Sequence, residues 1–195
     1  MDIILKLKEE LNVEKWQVEA AVKLIDEGNT IPFISRYRKE ATGSLNDEVL
    51  RDLDERLTYL RNLEEKKEQV LKSIEEQGKL TDELRERIVA AETMVVVEDL
   101  YRPYRPKRKT RASVAKEKGL DGLAQFILAQ ETTEPIETEA QKYVHEDEDE
   151  SKAVKTAAEA VQGAKDIIAE MISDEADYRI YIRNITTEEG KLIST

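Results

Sequence analysis

Apolar residues recur every three or four positions along most of the chain, which is the spacing of one face of an α-helix. The pattern predicts a short helix that begins near Ile3, and a second helix that ends at a left-handed Gly28. A helical turn over 31–34 follows, with Pro32 in its first turn. Asn12 and Ser44 are predicted N-caps, Asn12 for the second helix and Ser44 for a long helix after it.

The long helix is predicted over about 45–77, a stretch without Gly or Pro. Its apolar residues fall on the a and d positions of one heptad frame: Leu50, Leu53, Leu57, Leu60, Leu71 and Ile74. Glu64 and Lys67 occupy the middle pair, so we expect a spine with a wet centre and two apolar ends packed on different partners. Its length of roughly 45 Å exceeds the diameter of a small bundle. An antiparallel coiled-coil hairpin is the alternative.

The rest of the chain is also predicted to be mainly helical. Gly78 ends the spine and Thr81 caps the next helix. Further helices are predicted over 93–101, 112–118, 121–130, 135–144 and 151–172, with 102–111 as a loop and 178–185 ambiguous between strand and helix. The predicted fold is an irregular, mainly α bundle. The predicted organisation is a helical domain over 1–130, an acidic connector over 131–150 and an amphipathic unit over 151–195 that stops in mid-pattern, as a truncated chain would.

Composition narrows the function classes. The chain carries 43 acidic and 31 basic residues, a formal net charge of −12, and 38% of its residues are charged. It has no Cys and one His, which excludes a disulfide framework, a thiol nucleophile and a multi-His metal site within one chain. No apolar run is long enough to span a membrane and no signal peptide is visible, so we expect a cytoplasmic protein. No residue arrangement indicates catalysis, so we expect no enzymatic activity, metal or cofactor.

The charges are sorted into blocks. Residues 102–111 carry six cations and no acid, flanked by Tyr101 and Tyr104, and residues 131–150 carry a net charge of −8. Cations attract phosphates and tyrosines can stack on unpaired bases. A second, weaker cluster consists of Arg36, Tyr37, Arg38 and Lys39.

Each block has a plainer interpretation. The cations of 102–111 can pair with the protein's own acids, and Tyr37 can pack on the spine helix. The acidic segment is typical of a solvated connector, because adjacent like charges repel and rarely converge on one ion. His145 beside it is expected to be exposed.

Two long runs resemble the N-terminal region of the bacterial Tex proteins, the transcription accessory factors. They are AAVKLIDEGNTIPFISRYRKEATGSLNDEVLRDL (20–53) and VVVEDLYRPYRPKRKTRASVAKEKGLDGLA (95–124). The resemblance implies a helical region with a helix-turn-helix-like unit. In the family this region precedes an RNase H-like domain, helix-hairpin-helix motifs and an OB-fold RNA-binding domain, and the chain ends before all of these.

The resemblance and the charge pattern together predict a module that contributes to RNA or DNA binding, weakly in this fragment. The transcription machinery and the later domains of the family are the other expected partners. The alternative is a non-catalytic scaffold that docks those later domains or RNA polymerase. The candidate nucleic-acid contacts are Arg102, Arg105, Lys107, Arg108, Lys109, Arg111, Tyr101, Tyr104, Arg36, Tyr37, Arg38 and Lys39.

Overall fold

A computed structural model describes residues 1–106, 109–131, 133–147, 149 and 151–193. Within them lie eleven α-helices: α1 Ile3–Leu11, α2 Lys15–Asp26, α3 Ile31–Tyr37, α4 Asp47–Glu76, α5 Asp82–Ala90, α6 Met94–Tyr101, α7 Arg111–Glu117, α8 Asp121–Ala129, α9 Ile136–Ala140, α10 Ala157–Asp174 and α11 Ala176–Glu189. Short 3-10 turns follow α6 and α9. The described residues form no β-strand, only one isolated bridge between His145 and Val154. The predicted mainly α fold is confirmed.

The chain packs as two compact units, Met1–Val97 (unit 1) and a second that begins at Glu98 (unit 2). The predicted division at residue 130 differs from this packing, because α7 and α8 share a core with α10. As a statement about independently folding domains, that division stays a prediction. No helix of the described residues is both long and apolar enough to cross a membrane.

Helix α4 organises unit 1. One face of α4 is buried against α1, α2, α3 and α5, so its partners do change along its length. Two bidentate ion pairs fix neighbouring helices to it: Arg56 with Glu10 of α1, and Arg61 with Asp26 of α2. In both pairs the hydrogen bonds from arginine lower the pKa of the carboxyl group.

The prediction of a wet centre in α4 is wrong. The buried stripe moves onto Leu63 and Val70 and continues to Ile74, and Lys67 lies within it with 3% of its surface exposed. A helix that packs on several short partners is not held to a heptad repeat, so the stripe follows whichever three- and four-residue steps carry apolar side chains. The Lys67 ammonium donates hydrogen bonds to Glu64 Oε1 at 2.8 Å and to the Val89 carbonyl at 2.9 Å.

Two predicted N-caps are also wrong. Asn12 has a left-handed backbone (φ 51°) and ends α1, while Glu14 begins α2 through a capping box. Ser44 is left-handed as well (φ 63°), and the side chain of Asn46 caps α4 by accepting a hydrogen bond from the Val49 amide. Asn and Ser suit several turn positions, so neighbouring candidates compete for the cap. Gly28, Gly78 and the Thr81 cap occur as predicted.

The core of unit 2 is built from small residues. Alanines of α7, α8, α9 and α10 pack with Leu120, Leu123 and Ile167. Gly163 of α10 lets Leu120 approach closely, because a Cβ there would lie 2.4 Å from Leu120 Cδ1. Helices α7 and α8 are joined by a short turn with Gly119 at φ 76°. The helix-turn-helix-like unit that the resemblance implies stays a prediction.

Helix α10 begins later than predicted. Thr156 caps it, and the preceding stretch is extended because His145 and Val154 exchange backbone hydrogen bonds of 3.0 Å. The ambiguous stretch 178–185 is helical and belongs to α11. The acidic segment is more than a connector: Ala140 of α9 is fully buried in the core of unit 2, while the described carboxylates around it are largely exposed and His145 is exposed as expected.

Candidate nucleic-acid interface

The first predicted basic cluster lies at the end of α3 in unit 1, and we call Arg36, Tyr37, Arg38 and Lys39 the α3 cluster. All four residues are exposed. Phe33, one helical turn before Tyr37, pairs with it at a ring-centroid distance of 5.3 Å and a tilt of 42°. The Arg38 guanidinium lies 5.3 Å from the centroid of the Phe33 ring, within cation–π range. Tyr37 therefore does not pack on the spine helix; it is 68% exposed.

The cations of the α3 cluster form no ion pair with the described residues, although Asp47 lines the same cleft as Arg36 and Lys39. In the described part of the chain, no carboxylate lies within ion-pairing distance of Arg36, Arg38 or Lys39. By contrast, most cations on α4 form ion pairs with carboxylates, such as Arg51 with Asp47 and Arg56 with Glu10. A cation that keeps its charge uncompensated at the surface attracts anions, so this patch is positive on a strongly acidic chain.

The turn after α3 is fixed by several polar contacts. Thr42 is fully buried and its hydroxyl lies within hydrogen-bonding distance of the Arg38 and Lys39 carbonyls. Gln17 of α2 donates to the carbonyls of Thr42 and Gly43, both at 3.2 Å. The backbone that presents the α3 cluster is therefore held from two sides.

The second predicted cluster lies in unit 2, and its described cations are paired. Arg102 Nε donates to Asp174 Oδ1 at 2.8 Å, and Arg111 lies 2.8 Å from Asp166. Lys109 pairs with Glu117, and Arg105 lies 3.7 Å from Glu98. Lys107 and Arg108 lie outside the described residues. Tyr101 and Tyr104 are half-buried. The acids named here belong to α6, α7 and α10, so the plainer interpretation of this cluster, pairing with the protein's own acids, accounts for its described cations.

A buried carboxylate anchors α11, and the sequence analysis missed it. Asp99 of α6 is 3% exposed and accepts hydrogen bonds of 2.6 Å from Arg179 and Arg183. Burial opposes ionisation of Asp99, but the two arginine hydrogen bonds outweigh it and lower the pKa of the carboxyl group. An acid inside the apolar run MVVVEDLY was the available signal. Sequence alone does not show which cations reach it.

These ion pairs line an open cleft of about 600 Å³ in unit 2. Arg102, Arg105 and Arg179 face it together with Asp99 and Asp174. The carboxylates of Asp99 and Asp174 in this cleft oppose the entry of an anion. The arrangement is therefore suited to holding helices together. Among the described residues, no group of three His, Asp or Glu side chains could hold a metal ion.

Comparison with known proteins identifies a family match and several relatives of the chain. The family described as the Tex-like protein N-terminal domain matches residues 1–75. The transcriptional accessory protein Tex of Neisseria gonorrhoeae is 49% identical over 192 residues, which is 98% of this chain and 24% of that protein. The chain therefore carries a Tex-like N-terminal domain.

Other relatives of this chain extend the comparison. Protein YhgF of Escherichia coli is 45% identical over 95% of the chain and 23% of its own length. The human S1 RNA-binding domain-containing protein 1 is 31% identical over 94% of the chain and 18% of its own length. The chain thus spans about a quarter or less of the length of these relatives.

Proposed function

We propose that this chain is a non-catalytic module that contributes to nucleic-acid binding through the α3 cluster. The observation that carries the proposal is the group of three exposed cations without carboxylate partners in the described structure, next to an exposed aromatic pair. Arginine and lysine bind phosphates and release counterions when they do so. Two relatives are named for transcription and for an RNA-binding domain, which supports nucleic acid as the ligand.

The α3 cluster is favoured over residues 102–111, which the sequence ranked first. A carboxylate beside a cation lowers the positive potential that a phosphate would meet there, even where the ion pair is exposed and weak. The described cations of 102–111 lie beside carboxylates. Arg36, Arg38 and Lys39 have no carboxylate within ion-pairing distance among the described residues.

Removal of the three α3 cations is expected to weaken binding at least about tenfold at low salt and to flatten its salt dependence. Each lost phosphate contact lowers the slope of log affinity against log salt by about 0.9 for duplex DNA and about 0.7 for a single strand. The measurement is fluorescence anisotropy with labelled RNA and DNA across a salt series, for the wild type and the variant with Arg36, Arg38 and Lys39 changed to Ala.

The matched control removes the same charge elsewhere on unit 1, by changing the exposed Lys23, Lys72 and Lys79 to Ala. It is expected to lose much less affinity than the α3 variant. Equal losses in both variants would show that only net charge matters. No binding by the wild type at low salt would end the proposal. Nuclease assays with and without divalent metal test its non-catalytic part, which any activity of the purified chain would contradict.

A second candidate function is a scaffold on which the rest of a Tex protein docks. The supporting observation is an exposed apolar face of α11, formed by Tyr178, Tyr181, Ile182 and Ile185 at helical spacing. Met171 and Ile172 at the end of α10 are exposed as well. Exposed apolar faces of this kind mark interaction sites. Arg179 and Arg183 lie on the other side of α11, so this face stays open when α11 is anchored.

The scaffold predicts that α11 amides exchange hydrogen more slowly in a full-length Tex protein than in this chain alone. Covering the apolar face would restrict the opening of α11. Hydrogen exchange followed by mass spectrometry compares the same peptides in both proteins, with α4 peptides as the internal reference. Equal protection of α11 in both would contradict the scaffold.

A further inference from the structure

Three exposed aromatic rings lie on α3 or beside the turn that follows it. Tyr37 is 68% exposed, Trp16 is 51% exposed and Phe33 is 37% exposed. The whole chain has only ten aromatic residues, so three in one patch is a marked concentration. Trp16 is the largest apolar side chain of α2, yet half of its surface is open to solvent.

Trp16 lies against the turn that follows the α3 cluster. A Cβ at Gly43 would lie 2.5 Å from Trp16 Cη2, so the indole occupies the space beside that glycine. The amide of the next residue, Ser44, donates a 2.7 Å hydrogen bond to the Lys39 carbonyl. The indole therefore sits beside a turn whose backbone returns to the last residue of the cluster.

The turn is built to hold this arrangement. Gly43 and Ser44 both adopt left-handed backbone conformations, at φ 61° and 63°. A non-glycine residue in this region is uncommon and carries a conformational cost. At Gly43 the positive φ makes a larger residue costly, and the contact with Trp16 leaves no room for its Cβ unless the indole shifts. The buried Thr42 and the side chain of Gln17 fix the same backbone.

The three cations suffice for contact with duplex phosphates. The exposed rings add nothing to that contact, so they favour a ligand whose bases are accessible. Bases become available for stacking only when they are unpaired, and aromatic side chains beside a basic groove are the usual platform for them. Tyr37 has the most open ring, and Arg38 over Phe33 holds a guanidinium in the same patch.

We propose that Trp16, Phe33 and Tyr37 form a base-stacking platform beside the α3 cations, which binds nucleic acid with unpaired bases. This inference rests on the proposed function. It adds a ligand class and a binding role for rings that phosphate contact does not need. An acidic protein segment is the competing ligand, since tryptophan, tyrosine and arginine are also frequent at protein interfaces.

The test compares three labelled ligands of equal length: a single strand, the same strand with abasic sites, and a duplex. Trp16 is the only tryptophan, so its fluorescence reports directly on the platform. We expect the single strand to quench Trp16 and to bind about tenfold more tightly than the abasic strand. Tyr37→Leu is expected to lose about tenfold in affinity for the single strand, and to keep its duplex affinity and salt slope.

Tyr181→Leu is the matched control, because Tyr181 is 65% exposed on unit 2 and belongs to no basic cluster. It should bind all three ligands like the wild type. Phe33→Leu provides a second variant if Tyr37→Leu has an altered circular dichroism spectrum. Equal affinity for intact and abasic strands, or no effect of either aromatic variant, would overturn the stacking platform.

The outcomes separate this inference from the proposed function. Loss of all binding in the variant with the three α3 cations removed, with no effect of Tyr37→Leu, would overturn the platform and leave the phosphate contact standing. Absence of any nucleic-acid binding by the wild type would overturn both. Displacement of the single strand by poly-glutamate in a Tyr37-dependent manner, at similar concentration, would assign the patch to an acidic protein partner and overturn the inference.

Discussion

Replacing Glu64 by Leu is expected to destabilise unit 1 by about 3 kcal/mol, because it leaves the Lys67 ammonium buried without its counterion. The side chain of Lys67 is 4% exposed and that of Glu64 is 30% exposed. Glu64 also accepts a 2.9 Å hydrogen bond from the N-terminal ammonium of Met1. Partial burial opposes ionisation of Glu64, but the hydrogen bonds from Lys67 and from the N-terminus lower its pKa overall.

A double-mutant cycle distinguishes this pair from ordinary packing. Lys67→Met alone is expected to cost only about 1–2 kcal/mol, since Glu64 keeps the N-terminal ammonium and the lost bond to the Val89 carbonyl is the main penalty. The double variant Glu64→Leu/Lys67→Met should be more stable than Glu64→Leu alone, because no buried charge remains.

Urea unfolding followed by Trp16 fluorescence measures the cycle, because the single tryptophan lies in unit 1. Glu68→Leu is the control on the same helix: Glu68 is exposed, and the change should alter the free energy of unfolding by less than about 0.5 kcal/mol. Additive effects of the two substitutions would show that Lys67 and Glu64 do not act as a pair.

Lys67 shows what the sequence could and could not predict in unit 1. The helices themselves are predictable, because the apolar spacing, Gly28, Gly78 and the Thr81 cap all agree with one another. The burial of one lysine is not, because it depends on a carbonyl of α5, which lies more than twenty residues away in the chain. A heptad frame is a local rule, and short helices packed at different points on α4 override it.

The candidate site was likewise predictable only in part. Both basic clusters are visible as runs of arginine and lysine, but α3 extends to Tyr37, beyond the helical turn predicted over 31–34. Their difference is a matter of pairing, which is set by the tertiary structure. Asp174 and Asp166 neutralise Arg102 and Arg111 from helix α10, about 55–72 residues along the chain. Asp47 at the start of α4 lines the same cleft as Arg36 and Lys39, but among the described residues no carboxylate forms an ion pair with the α3 cations.

Loss of the Asp99 charge, which holds α11 through Arg179 and Arg183, is also expected to have a large effect on stability. Asp99→Asn keeps the shape of the side chain and removes the charge that accepts bonds from Arg179 and Arg183. Hydrogen bonds to charged groups contribute about 1.5–3 kcal/mol, so we expect a loss of about 2 kcal/mol at pH 7. Beyond Ala176, the residues of α11 are exposed or half-buried, so the loss should fall mainly on this helix.

The lowered pKa of Asp99 determines how its contribution to stability changes with pH. The folded-state pKa of Asp99 is lowered, so its contribution is fully present above the unfolded-state pKa of about 3.9 and is lost as the pH falls through the lower folded-state pKa. The difference between the wild type and Asp99→Asn should therefore be constant above about pH 5 and should narrow progressively as the pH falls below about 4. Hydrogen exchange of α11 peptides, corrected for intrinsic rates at each pH, measures the difference, with α4 peptides unchanged as the reference. A gap that stayed constant down to pH 3 would show that the Asp99 charge does not hold α11.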